Sequence, residues 1–264
     1  MSPYILTVLL LTLGLGTTTT FASSHWLLAW MGLEMNTLAI LPLMAQHHHP
    51  RAVEAATKYF LTQAAAAAML LFAATSNAWL SGQWETTQLS HPIPSTMMTL
   101  ALALKVGLAP LHAWLPEVLQ GLDLATALIL STWQKLAPLA LLIQIQPASS
   151  TLMVIMGLAS ALMGGWGGLN QTQLRKILAY SSIAHLGWMV LILQFAPSLM
   201  MIALSTYLVM TFSTFFIFKH TASMSINALA TSWPKAPVLT ALTPLVLLSL
   251  GGLPPLTGFG PKWL

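Results

Sequence analysis

Three ionisable residues, Glu34, Lys105 and Lys135, stand inside long apolar runs. At the 1.5 Å rise of a helix, Glu34 lies about 12 Å past Trp26, and Lys105 and Lys135 lie about 16 Å past Pro94 and Leu124. All three therefore reach a similar depth in the segments that carry them. A charge at that depth costs a few kcal/mol on insertion scales, so such residues face the protein interior, pair with one another and mark ion or proton routes. Moving a carboxylate toward or away from a buried lysine switches that lysine between holding and releasing its proton. Glu34 beside Lys105 would make such a switch, with Lys135 as the next relay group. The plainer reading is a structural Glu34–Lys105 ion pair with Lys135 snorkelling. Lys135 is far from either end for that, and a buried ion pair adds little stability over apolar packing. His112 and His185 fall within or near apolar segments, and an imidazole with an unperturbed pKa of about 6.5 passes protons at physiological pH. They are possible connecting groups, the competing reading for each being a neutral packing histidine. The run His47–His49 precedes Pro50 in a connection, where consecutive residues rarely converge on one ion, so no metal site is expected.

The elements that position these groups follow from composition. The chain has 264 residues, of which 56% are hydrophobic and 5% charged, with mean hydropathy +0.78. Ordinary soluble domains carry roughly 25% charged residues, and a chain this poor in them cannot cover itself with polar surface. Its apolar runs fill whole segments of about 20 residues, the length that crosses a hydrocarbon core. The solvent is a bilayer. There are no cysteines, which excludes disulfides, thiolate iron–sulfur ligation and Cys-based zinc sites. The basic residues are scattered rather than gathered in a patch, so the high isoelectric point does not indicate nucleic acid. The N-terminus has neither a basic n-region nor an AxA-like cleavage site and reads as a first membrane helix.

Apolar windows punctuated by Pro, Gly and charge predict nine spans, over 3–22, 25–45, 56–76, 94–119, 124–144, 149–169, 175–196, 198–219 and 237–260. The even-numbered connections carry Arg51, Lys58, Arg175, Lys176, Lys219 and Lys235; the odd-numbered ones carry no Lys or Arg and only Glu85. By the positive-inside rule the even connections face the matrix or cytoplasm, and the N-terminus shares that side. Trp26, Trp79, Trp84, Trp114 and Trp233 fall near predicted span ends and are expected to anchor there, rings in the acyl boundary and N–H groups among headgroups. Gly157, Gly164, Gly165, Gly167 and Gly168 put small residues on the sixth span and predict close helix approach.

Residues 107–117, GLAPLHAWLPE, and 252–262, GLPPLTGFGPK, share Gly, Leu, Pro, Leu, an aromatic and Pro at the same offsets. They sit on the fourth and ninth spans, which by parity cross in opposite directions, the signature of an inverted-topology repeat. Internal prolines free backbone groups that are tolerated at membrane depth only in protein or beside a hydrated cavity. The expectation is a single all-α membrane domain, a polytopic transmembrane helical bundle with inverted repeats, about 1–145 and about 149–264, and two Pro-broken helices. Glu117 aligns with Lys262, which becomes a fourth relay candidate at the end of the second broken helix. The alternative is that both motifs are tight turns ending a span, with Lys262 an interfacial cation.

The stretches KVGLAPLHAWLPEVLQG, TWQKLAPL, LRKILAYSSIAHLGWM and GGLPPLTGFGPKWL resemble the antiporter-like subunits of respiratory complex I and of multisubunit cation/proton antiporters. With Glu34 already on the second span, the chain is most similar to the mitochondrially encoded NADH dehydrogenase subunit 2 family. The resemblance covers essentially the whole chain. It implies a core membrane subunit of proton-pumping NADH:ubiquinone oxidoreductase, in the mitochondrial inner membrane with the N-terminus on the matrix side. It implies no cofactor on this chain, with NADH, FMN, iron–sulfur clusters and ubiquinone used by other subunits. Partners would be the other membrane-arm subunits, the lipid bilayer and, indirectly, ubiquinone. Carried onto matching positions, Glu34 and Lys105 form the coupling pair, Lys135 the central relay and Lys262 the relay toward a second half-channel, with His112 and His185 connecting them. Members of the family run on for several more helices, so the resemblance implies a counterpart truncated at its C-terminus; Gly260 stands where they carry a bulkier residue. Two other classes fit the residues less closely: a subunit of a sodium/proton antiporter, and a purely structural or assembly membrane protein.

Overall fold

The computed structural model describes residues 2–46, 49–89, 91–145 and 150–263. In chain order the helices are α1 Pro3–Ala22, α2 Trp26–Met44, α3 Pro50–Ser81, α4 Pro92–Val106, α5 Trp114–Gly121, α6 Leu124–Ile145, α7 Ser150–Gly168, α8 Leu174–Leu193, α9 Pro197–Thr221, α10 Ile226–Ala230, α11 Pro237–Gly251 and α12 Gly260–Trp263. Seven are long and apolar enough to cross a membrane, and α4 and α11 are shorter apolar helices. His47 and His48 lie outside the described residues.

Local chemistry sets the ends. Prolines open α1, α3, α4, α9 and α11, at the position where the missing N–H has no intrahelical partner anyway. The threonine run of α1 is accommodated because the hydroxyls bond back to the preceding turn, Thr17 to the Gly14 carbonyl at 2.8 Å and Thr20 to that of Thr17 at 2.7 Å. No polar group there faces hydrocarbon unpaired.

The expected fourth and ninth spans are not continuous helices. Each stops at a glycine in the left-handed region, Gly107 at φ 88 and Gly252 at φ 78, which L side chains rarely adopt. The Ala109–Pro110 and Pro254–Pro255 peptide bonds are both cis. After the first break α5 resumes; after the second, the chain folds back so that Gly258 lies directly against the Ser249 carbonyl, where no side chain has room.

The chain forms two compact units, Met1–Gly107 with Trp133–Leu152, and Leu108–Thr132 with Met153–Leu264. Helix α6 gives its first turns to the second unit and the remainder to the first. In the first unit α1 crosses α2 so closely that a Cβ on Gly32 would stand 2.8 Å from the Gly16 carbonyl, and one on Gly16 2.9 Å from that of Gly32. The Trp30 indole then donates to the Ala67 carbonyl of α3 at 3.1 Å. Two loops of this unit pair through an antiparallel bridge between His25 and Glu85, with the His25 and Trp84 rings stacked at 5.3 Å. In the second unit Gln173 and Ser225 form the matching bridge, and the Arg175 guanidinium donates to the Leu122 carbonyl. In every case the joined segments are connections that helix parity puts on one side.

The glycines of α7 pack as their sizes require. A Cβ on Gly164 would meet the Ala184 backbone nitrogen at 2.5 Å, and one on Gly157 the Leu191 side chain at 2.7 Å. Gly165 faces open space. The tryptophan expectation needs correction. Trp26 is fully buried, its Nε1 without a hydrogen-bond partner, and Trp114 is buried too, whereas Trp79 and Trp233 are exposed. Distance from a span end says nothing about which side of the helix a ring occupies, and at 26 and 114 the ring turns into the protein.

Candidate functional site

Glu34, Lys105 and Lys135 all fall in the first unit, and His112, His185 and Lys262 in the second. Glu34 follows Gly32 on α2 by two residues, so the close α1–α2 crossing fixes its height and rotation. Lys105 sits in the last turn of α4, just before the break, where the negative end of the helix dipole favours a cation. It is 5% exposed and Lys135 on α6 is 2% exposed, so neither amine reaches bulk solvent.

Glu34 and Lys105 do not form the direct ion pair that the plainer reading requires. A Lys–Glu pair does close elsewhere, Lys58 with Glu54 at 2.8 Å, on an exposed stretch of α3. Glu34 Oε2 and Lys105 Nζ are both buried without a hydrogen-bond partner. The Glu34 carboxylate nonetheless acts electrostatically on Lys105 and on Tyr59 of α3. The two charges thus interact through space rather than through a closed contact.

Four polar residues that the sequence reading missed surround this centre. Tyr59 and Gln63 lie one turn apart on α3, both buried, and Gln63 Nε2 donates to the Lys105 carbonyl at 3.4 Å. Gln134, next to Lys135, donates to the Asn36 carbonyl of α2 at 3.4 Å, and the Asn36 side-chain oxygen is buried without a partner. The available signal was polar residues at helical spacing within apolar spans, which is weak beside a charge.

In the second unit, His185 on α8 is 8% exposed, and its Nε2 lies 3.1 Å from the Leu250 carbonyl. Lys262 Nζ donates to the same carbonyl at 3.3 Å and to that of Gly251 at 2.8 Å. Its aliphatic stem passes over Gly252, where a Cβ would meet Lys262 Cδ at 2.5 Å. The chain reversal after Gly252, rather than a continuing helix, brings Lys262 to the end of α11. His185 and Lys262 therefore meet at one backbone oxygen, beside a cavity of about 500 Å³ lined in part by Gly164, Ser181 and Gly251. His112 is half-buried in the first break, and its Nδ1 is buried without a partner. Nearby, the freed Ala109 N–H donates to Ser160 Oγ at 2.9 Å. Glu117, the repeat partner of Lys262, is exposed. Gly260 faces open space, so packing gives no reason for a glycine there.

A family model described as the transmembrane region of NADH:quinone oxidoreductase and Mrp antiporters matches residues 23–264. The NADH-ubiquinone oxidoreductase chain 2 of Tetraodon nigroviridis is 74% identical over 264 residues, covering all of this chain and 76% of the relative. The chain belongs to that family. It is a multi-span membrane subunit of the NADH-ubiquinone oxidoreductase kind. The fold agrees: a chain of respiratory complex I from Thermus thermophilus, in a structure with bound aureothin, superposes with TM-score 0.92 at 30% identity, over 100% of this chain and 63% of that one. A chain of the Mrp complex from Dietzia superposes with TM-score 0.84 over 97% of this chain and 53% of its own, and at 18% identity it shows the shared fold alone.

Proposed function

We propose that this chain relays protons across the mitochondrial inner membrane as a core subunit of a proton-pumping NADH:ubiquinone oxidoreductase, working beside the other membrane-arm subunits. Electrons pass from NADH to ubiquinone in other subunits, where the flavin and iron–sulfur clusters reside; a chain without cysteine supplies no thiolate for a cluster. Glu34 and Lys105 form the coupling pair, Lys135 the central relay and Lys262 the next, with His112 and His185 as connecting groups. Glu34 governs how firmly Lys105 holds its proton, and a change in their separation, driven by the complex, loads or releases it. The chain forms one membrane domain of two inverted repeats, supported by the matching left-handed glycines at 107 and 252. The N-terminus lies on the matrix side, a reading supported by Arg51, Arg175, Lys176, Lys219 and Lys235 falling on alternate connections.

The single observation behind the relay is that Glu34 Oε2 and Lys105 Nζ are buried and electrostatically coupled but not joined. A stability device would close the pair; a switch needs the gap. The test is coupled proton transport by the intact complex carrying Lys105→Ala or Glu34→Ala. Both variants should assemble, as seen on native gels, and pump more slowly. Pumping at the wild-type rate in both would reject the relay.

A further inference from the structure

Tyr207 of α9 is fully buried on a helix that carries none of the relay groups. Phenylalanine would fill such a place equally well, so the hydroxyl is what needs explaining, and a buried hydroxyl is tolerated only when it is bonded. It donates to the Ser131 carbonyl of α6 at 3.0 Å. In helical geometry that oxygen also serves the backbone N–H of Lys135, one turn on. On α8 the Ser182 hydroxyl is spent on its own helix, donating to the Ala179 carbonyl at 2.7 Å. One turn further along α8, the His185 ring packs on the Tyr207 ring with centroids 5.5 Å apart. His185 in turn shares the Leu250 carbonyl with Lys262.

We propose that Tyr207 is a positioning residue of the relay: its hydroxyl anchors α9 to α6 and so holds the phenol ring against the His185 imidazole, keeping that imidazole on the Leu250 carbonyl beside Lys262. This rests on the relay reading above. The ring alone could slide along His185; the bond from its hydroxyl to the Ser131 carbonyl fixes its height.

Tyr207→Phe separates the two contributions, since it keeps the ring and removes only the hydroxyl. In the intact complex reconstituted in vesicles, the pumping rate per assembled complex should fall roughly five-fold, the factor of one lost buried hydrogen bond. The KM values for NADH and ubiquinone should stay unchanged, and assembly should be normal. A residue needed only for packing would leave this variant at the wild-type rate, and that result overturns the proposal. If Tyr207→Phe fails to assemble, Tyr207→Gln decides, since it keeps a donor on α9 but removes the ring from His185; a wild-type rate there overturns the proposal as well. Lys262→Met, measured in parallel, keeps the two readings apart. Slow pumping in Lys262→Met with wild-type Tyr207→Phe leaves the relay standing and removes Tyr207 from it; wild-type pumping in both takes Lys262 as well as Tyr207 out of the relay, and the proposal falls with it.

Discussion

If Glu34 and Lys105 act as one switch, removing either charge should leave little for removing the other to do. Glu34→Gln keeps the side-chain shape and deletes the charge, and Lys105→Met keeps the length and deletes the amine. The structure bounds the effect. The charges are further apart than 4.0 Å, so their interaction is at most about 4 kcal/mol at the effective dielectric of a protein interior and falls toward about 1 kcal/mol as water enters. That range corresponds to a factor of roughly 5 to 1,000 in the proton equilibrium at Lys105. Each single variant should slow pumping within this range, and the double variant should be no slower than the worse single one. The cycle would then give an interaction energy of about 1–4 kcal/mol. The assay is the initial rate of dye-reported proton uptake by vesicles holding the intact complex, normalised to assembled complex on native gels. Independent losses that multiply, with an interaction energy within about 0.5 kcal/mol of zero, would show that the two residues act separately and would refute the switch.

Lys135→Met should slow pumping in an assembled complex, because the methionine fills the same buried volume but holds no proton; normal pumping would assign Lys135 to packing. On α7 the neighbouring substitutions Gly164→Ala and Gly165→Ala gain the same helix propensity, so their difference isolates the clash with α8. The first should lower the yield of assembled complex relative to the second by the equivalent of about 1–3 kcal/mol, the usual size of an overpacked contact, and equal yields on quantitative blots would contradict the packing described here.

The spans were legible because the bilayer imposes one length on apolar segments. The first, second, fifth and sixth were placed to within a residue or two of α1, α2, α6 and α7. The third was read as 56–76, but α3 runs from Pro50 to Ser81. A hydropathy window closes at Arg51, Glu54 and Lys58, whereas a helix continues through them and pairs Glu54 with Lys58 one turn apart. The breaks were marked by Gly and Pro, whose backbone consequences are local. The fold-back that brings Lys262 onto α11 was not legible, since it depends on Gly258 meeting the Ser249 carbonyl, a contact between residues that no periodicity links. Charges in apolar runs pointed to Glu34, Lys105 and Lys135, because burial of a charge is costly enough to need a reason. Tyr59, Gln63 and Tyr207 were missed because a neutral polar side chain in a helix is cheap to hide and frequent.

The two breaks and the buried cations answer one physical requirement. A helix that stops within an apolar segment leaves its last carbonyls without intrahelical donors, and there is no water in hydrocarbon to satisfy them. A lysine at that depth has the opposite difficulty, a charge without counter-charge. Placing the lysine at the broken end eases the second difficulty, since the carbonyl end of a helix carries a partial negative charge, and where the amine reaches those carbonyls it relieves the first as well. The two repeats reach this arrangement differently. In the first, Lys105 lies within the last turn of α4 and its Nζ bonds none of the freed carbonyls, so only the helix-end dipole acts on it; in the second the aligned position is Leu250, whose carbonyl receives Lys262 from beyond the break. Lys105 answers to Glu34 through space, whereas a lysine held by helix-end carbonyls, as Lys262 is, depends on no fixed carboxylate partner, so its proton can leave without stranding an opposite charge. Such a lysine can be loaded and emptied repeatedly, whereas one locked in a closed ion pair cannot.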